Sequence, residues 1–242
     1  MKLIAADWSA PENIHAVTTT RQGGHSLGPY AGLNLGDHVD DFPASVIKNR
    51  RQLVQELDLI KQPQWLSQVH GTEVIKASDD GKVIQADACW SDAAGQPCIV
   101  MTADCLPVFF TDQQGSRVAV AHAGWRGLVD GVLEQTLSVF PDPSKVIVWM
   151  GPAIGQPAFE VGGEVRERFC DLHDTSAEAF APSANPGKWL ADIYMLARLR
   201  LNRRGVSQVS GGNYCTFTQS ELFYSYRRDG ITGRMASVIW ID

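Results

Sequence analysis

Long hydrophobic runs are missing from this sequence. The start, MKLIAADWSA, carries only the short apolar stretch Leu3 to Ala6 before Asp7, and no later segment approaches the roughly 20 apolar residues that a membrane-spanning helix needs. The chain is therefore expected to be cytoplasmic, with no membrane partner. Positive charge is also scarce: 21 Lys and Arg against 27 Asp and Glu leave a net charge of −6. Without a basic stripe to neutralise a phosphate backbone, a nucleic-acid polymer is not the expected partner, although a few arginines can still hold a small anion. The five cysteines (89, 98, 105, 170 and 215) are odd in number, widely spaced and without a CxxC pair, which argues against a disulfide framework and for a reducing compartment. No GxGxxG follows a strand-like run, no P-loop is present, and there is no internal repeat, low-complexity tract or charge run.

What remains is enough for an ordinary core: 242 residues, 44% hydrophobic and 20% charged. The expectation is one domain spanning residues 1–242. Helical periodicity marks Pro43 to Leu59, Gly127 to Phe140, Gly163 to Leu172 and Trp189 to Arg204, the last closed by Gly205. Strand character marks Ile14 to Thr19, Gln64 to Val69, Val74 to Ala77, Cys98 to Thr102, Val108 to Thr111, Val118 to Ala121, Val146 to Met150 and Ala236 to Ile241. The strands cluster instead of alternating with helices. This predicts a mixed α/β (α+β) fold, with mixed or antiparallel sheets flanked by helices.

The richest stretch is Thr102 to Gly127, TADCLPVFFTDQQGSRVAVAHAGWRG. Two strand runs flank the polar segment Asp112 to Gly115, which has the length and composition of a four-residue hairpin loop. On that register Thr111 faces Ser116, Val108 faces Ala119 and Cys105 faces His122, so thiol and imidazole share a face; a slip of one residue would separate them. His122 leads into Gly124, Trp125, Arg126 and Gly127, a glycine-rich turn ahead of a helix that suits an anion, with Arg126 adding a fork of donors. Taken singly, each has a plain structural role: a small buried thiol, a hydrogen-bonded histidine, turn-making glycines. His70, in WLSQVHG, also ends a strand run. With Cys105 and His122 it completes a Cys/His/His set, the three-protein-ligand pattern of catalytic zinc with the fourth position open.

At these residues the sequence resembles the bacterial laccase-domain, or polyphenol oxidase, family. The resemblance runs through TTRQGGHS (19–26), LNLG (33–36), Asn49 and Arg50, QVHG (68–71), ADA (86–88), TADCLP (102–107), HAGWRG (122–127), SYRR (225–228) and GRMA (233–236). It implies a purine nucleoside phosphorylase with adenosine deaminase activity, His70, Cys105 and His122 as zinc ligands, and the fold of putative cysteine hydrolases. It also implies small-molecule substrates, a purine nucleoside and phosphate. For phosphate the candidate donors are Arg126, Arg21 and Arg227, in that order; Asp104, beside the ligand cysteine, is the candidate acid or base for deamination, since the HxE and PCxxC signature of familiar zinc deaminases is absent. Two other chemistries stay open. A Cys/His/His centre also accepts copper, as the older polyphenol oxidase (laccase) name suggests. Cys105 and His122 would alternatively serve a metal-free hydrolase, the chemistry proposed for relatives that edit peptidoglycan precursors.

Overall fold

A computed structural model describes residues 1–242. A four-stranded sheet runs in the order β1 (Leu3–Ala5), β2 (Ile14–Thr19), β15 (Met235–Ile241), β7 (Cys98–Thr102), all antiparallel. It stacks on a six-stranded mixed sheet ordered β14 (Gln208–Gly211), β10 (Val146–Met150), β8 (Leu106–Asp112), β9 (Val118–Ala123), β6 (Ala88–Ser91), β4 (Val74–Lys76). The two outermost pairings of this sheet are parallel and the three inner ones antiparallel. Smaller sheets join β3 (Leu66–Ser67) to β5 (Ile84–Gln85), and β11 (Glu160–Gly162), β13 (Lys188–Ala191) and β12 (Phe180–Pro182). The expected mixed α/β fold with several antiparallel and mixed sheets is the fold observed.

Side-chain alternation explains the layering. β8 and β9 are buried along their whole length. Successive residues point to opposite faces of a strand, and here both faces are covered. Val108, Phe110, Ala119 and Ala121 meet Leu128, Val132, Leu133 and Leu196 from the helices α2 (Trp125–Asp130), α3 (Val132–Leu137) and α5 (Ile193–Arg203). Phe109, Val118 and Val120 turn the other way, toward Val100 and Ile239 of the four-stranded sheet. β15 alternates in the same manner, for Ala236 and Val238 join Leu53 of α1 (Pro43–Glu56) in a third cluster outside that sheet. The order is helix, sheet, sheet, helices. α4 (Gly163–Leu172) and the short α6 (Tyr226–Asp229) complete the helices, and no helix is long and apolar enough to cross a membrane.

Three expectations need correction. The helix expected over Gly127 to Phe140 is two helices, because Gly131 adopts φ 105 between them, a left-handed conformation that breaks the α path. The helix expected from Trp189 starts at Ile193. Trp189 to Ala191 belong to β13, and the Asp192 side chain caps the helix by accepting from Met195 N at 2.9 Å.

The third concerns the hairpin register. Asp112 remains on its strand, its carboxylate accepting from Ser116 N at 2.8 Å and Ser116 Oγ at 2.5 Å, so the loop begins one residue later than expected. Val108 therefore faces Ala121 and Pro107 faces His122, and Cys105 precedes the first paired residue. The displacement is two positions, which preserves which face each side chain takes. Cys105 and His122 end up as diagonal neighbours instead of directly opposed.

Candidate metal centre

β8, β9 and β6 are adjacent in the six-stranded sheet, and their ends near Leu106, Ala123 and Ala88 meet at one edge. Cys105 stands just before β8, His122 is the penultimate residue of β9, and Asp87 immediately precedes β6. His70 comes from the segment after β3, which two devices hold in place. Gln68 bonds Met101 of β7 twice, donating to its carbonyl and accepting from its N–H, each at 2.8 Å. The Asp87 carboxylate accepts from the N–H groups of Val69 (3.2 Å), His70 (2.9 Å) and Gly71 (2.7 Å).

The three expected residues are brought together. One potential ligand atom each from His70, Cys105 and His122 lies within 4.8 Å of the others, and Cys105 Sγ is 3.7 Å from His70 Nε2. Ligands around tetrahedral zinc sit roughly 3.3–3.6 Å apart, given Zn–N near 2.0–2.1 Å and Zn–S near 2.3 Å. The cluster thus needs only a small contraction. Its donor set, one thiolate and two imidazoles with His70 exposed, fits an ion with an open position. Gly124 makes room for it, since a Cβ there would stand 2.6 Å from His70 Cδ2 and 3.0 Å from Cys105 Sγ.

The groups tune one another. Burial pushes the Cys105 thiol up, but the charge and hydrogen bonds of His122, followed by those of His70, outweigh it and bring the thiol down to about 6. Burial pulls His122 down, yet Cys105 and Asp87 raise it to about 9. For Asp87 burial acts upward, and the hydrogen bonds and charge of His122 with the Gly71 and Val69 N–H groups hold the carboxyl below its ordinary range. Cys105 and His122 thus each favour the charged form of the other, beside the buried Asp87 carboxylate.

Two cavities flank Cys105. The larger, about 540 Å³, is lined by both histidines of the cluster together with His38, Gln68, Arg126 and Arg234. The smaller, about 140 Å³, is mostly apolar, with Trp125, Ile154, Phe159 and Tyr226. Of the candidate phosphate donors, Arg126 borders the larger cavity, its guanidinium 4.6 Å from the Trp125 ring centre. Arg227 borders the smaller one and donates to Glu160 O at 2.9 Å. Arg21 borders neither, lying over the Tyr224 ring at 4.8 Å and donating to Ser220 O. Asp104 is buried at φ 89, and its two oxygens accept from Thr216 Oγ1 (2.6 Å) and Arg227 N (2.7 Å). Its carboxylate ties α6 to the strand edge. Asp87 and Arg234, which the sequence shows only within the ADA (86–88) and GRMA (233–236) motifs, join the site here.

A mixed α/β sandwich with a Cys/His/His cluster at the edge of its larger sheet defines the class: a protein whose His70, Cys105 and His122 could hold a metal ion beside a cavity of about 540 Å³. The chain belongs to the multi-copper polyphenol oxidoreductase laccase family, whose model matches residues 15–242. It is 53% identical to a Pseudomonas aeruginosa purine nucleoside phosphorylase over 99% of this chain and 98% of the relative. It is 51% identical to the Escherichia coli purine nucleoside phosphorylase YfiH over 99% of both. The crystal structure of a Neisseria meningitidis protein superposes with a TM-score of 0.96 at 48% identity, covering 100% of each chain. That of YlmD from Geobacillus stearothermophilus gives 0.87 at 32%, covering 95% of this chain and 92% of YlmD.

Proposed function

We propose that this chain is a purine nucleoside phosphorylase whose metal ion, zinc in the first instance, is held by His70, Cys105 and His122. The observation that carries the reading is the convergence of three ligand atoms within 4.8 Å beside a cavity that presents Arg126 and Arg234; the names of the relatives at 50% identity and above point the same way. In the reaction a phosphate oxygen bonds to C1′ of the nucleoside as the C1′–N9 bond breaks, giving ribose 1-phosphate and the free base. Arg126 and Arg234 neutralise the phosphate and orient it, and the aromatic walls of the smaller cavity, Trp125, Phe159 and Tyr226, exclude water from the base. When bound, the ion supplies Lewis acidity at the reacting centre.

Adenosine deamination, with water replacing the 6-amino group and ammonia leaving, is the finer part of the proposal. Copper is the alternative ion, since the same donors accept it. Metal analysis joined to product analysis with inosine and adenosine, each with and without phosphate, tests all of this. Ribose 1-phosphate should form only with phosphate present, vanish on chelation and return with zinc; undiminished turnover by metal-free protein would end the reading.

A second reading rests on the row formed by Cys105, His122 and Asp87, with the thiol held down to about 6. That is the order of groups in a cysteine hydrolase, and it suits the editing of peptidoglycan precursors. An acyl-enzyme trapped on Cys105, with activity insensitive to chelators, would favour it.

A further inference from the structure

Asp87 touches both histidines of the cluster, in different ways. Its side chain is fully buried. Oδ1 lies 2.8 Å from His122 Nδ1, and a carboxylate only accepts, so Nδ1 carries the proton and Nε2 is left free as the donor atom of that ring. The Asp87 carbonyl also accepts from His122 N at 2.7 Å, fixing the strand beneath the ring. Toward His70 the same carboxylate gathers three consecutive backbone N–H groups. These hold His70 at φ 61, a left-handed conformation that a non-glycine residue keeps only where its surroundings impose it. With φ so fixed, the His70 ring passes over Gly124 to Cys105.

We propose that Asp87 is the positioning residue of the whole centre, one carboxylate setting the tautomer of His122 and the backbone conformation of His70. The proposal rests on the metal-centre reading above. Four N–H donors converge on its two oxygens, and an amide in its place has one acceptor and one donor. In Asp87→Asn at least one contact becomes donor against donor. If that contact is with His122, the ring is driven to the Nε2–H tautomer and its ligand atom is blocked; if it is with residues 69–71, His70 is released.

The test is zinc affinity by competition with a chromophoric chelator on the full chain. Asp87→Asn should bind zinc about 10- to 100-fold more weakly than wild type, the usual consequence of losing the partner of a metal-bound histidine. Asp112→Asn is the control for general destabilisation: it removes a carboxylate from the far end of the same hairpin and should lower the melting temperature while leaving zinc affinity unchanged. Equal affinity in Asp87→Asn and wild type would overturn the proposal and leave the metal reading standing. Wild-type protein that takes up no zinc would overturn both. Should Asp87→Asn fail to fold, the ring ¹⁵N spectrum of zinc-loaded wild type decides the matter. A protonated Nδ1 and metallated Nε2 at His122 are expected, and zinc on Nδ1 would overturn the proposal.

Discussion

Two of the regions that hold thiols behave in opposite ways. Cys89 and Cys98 lie fully buried in the core between the two sheets, among Val100, Val120 and Ile239. Burial pushes the Cys98 thiol well up, and Cys89 beside it pushes the same way. Cys105, at the sheet edge, also loses water but faces two imidazoles, one of them backed by a carboxylate, and its thiol moves down. Loss of water alone makes a sulfur inert, while an oriented cation beside it makes it a nucleophile or a ligand. The sheet edge supplies that cation because neighbouring strands end there side by side.

The contrast is broken most severely by removing the cluster. Cys105→Ala and His122→Ala should each lose stoichiometric zinc and reduce phosphorolysis by roughly 10³-fold or more, as expected when a three-ligand catalytic site loses a ligand. Cys98→Ala should keep both and cost about 1 kcal/mol of stability, a typical value for a small core truncation. Metal content and turnover of the three variants decide it. Zinc retained at full stoichiometry by Cys105→Ala would show that the two thiol regions do not differ as described.

In metal-free protein the same contrast can be read from pH. Alkylation of Cys105 by iodoacetamide should rise through a midpoint near pH 6 and then level off, whereas Cys98 should stay unmodified until the protein unfolds. A midpoint near 8.5, the value of a free thiol, would mean that His122 does not act on Cys105. Stability follows the same groups. A thiol whose value is lowered on folding contributes stability that is complete above its unfolded value and is lost as pH falls through about 6. An imidazole whose value is raised contributes stability that is complete below about 6.5 and is lost as pH rises through about 9. Between about pH 6 and 9 the two contributions change in opposite senses, so the melting temperature of metal-free protein should be nearly flat there, and that of Cys105→Ala, which keeps only the histidine's share from Asp87, should decline as pH rises.

A smaller effect is expected from crowding the centre. In Gly124→Ala the new Cβ presses on His70 Cδ2 at 2.6 Å and on Cys105 Sγ at 3.0 Å, so the exposed histidine must give way. Zinc affinity should drop about tenfold, the lower end of the range for disturbed ligand orientation, with little change in fold by circular dichroism. Unchanged affinity would place the His70 ring outside the centre.

The sequence disclosed these parts unequally, for physical reasons. Cys105 and His122 are joined by one hairpin, so local alternation was enough to put them on one face even though the loop was misplaced by a residue; an even displacement leaves parity intact. His70 is tied in by Gln68 on Met101 and by Asp87 on residues 69–71, contacts 16 to 33 residues apart in the chain that no periodicity encodes. β2, β7, β10 and α4 were legible to the residue because their apolar patterns are complete. β13 was hidden, since Lys188 to Ala191 continues the apolar spacing of α5 and only the Asp192 cap separates them. The place of Arg234 at the cavity was not legible from its GRMA motif, because its backbone, bonded to Asn34 Oδ1 at 2.9 Å, brings it there from the far end of the chain.

The arginines offer the finest division of the molecule into working and structural regions. Arg126 and Arg21 both stack on aromatic rings, at 4.6 Å from Trp125 and 4.8 Å from Tyr224, so stacking does not tell them apart. Their surroundings do: Arg126 opens on the cavity that holds the cluster, while Arg21 donates to a backbone carbonyl beyond it. Arg126→Ala should raise the KM for phosphate by roughly three- to tenfold with kcat little changed, because a partly exposed charge–anion contact is worth about 1 kcal/mol. Arg21→Ala should leave phosphate KM where it is, and any loss should be thermal, through the Tyr224 contact. Initial rates at varied phosphate separate the two, and a KM effect of Arg21→Ala as large as that of Arg126→Ala would mean that the anion is bound outside the 540 Å³ cavity.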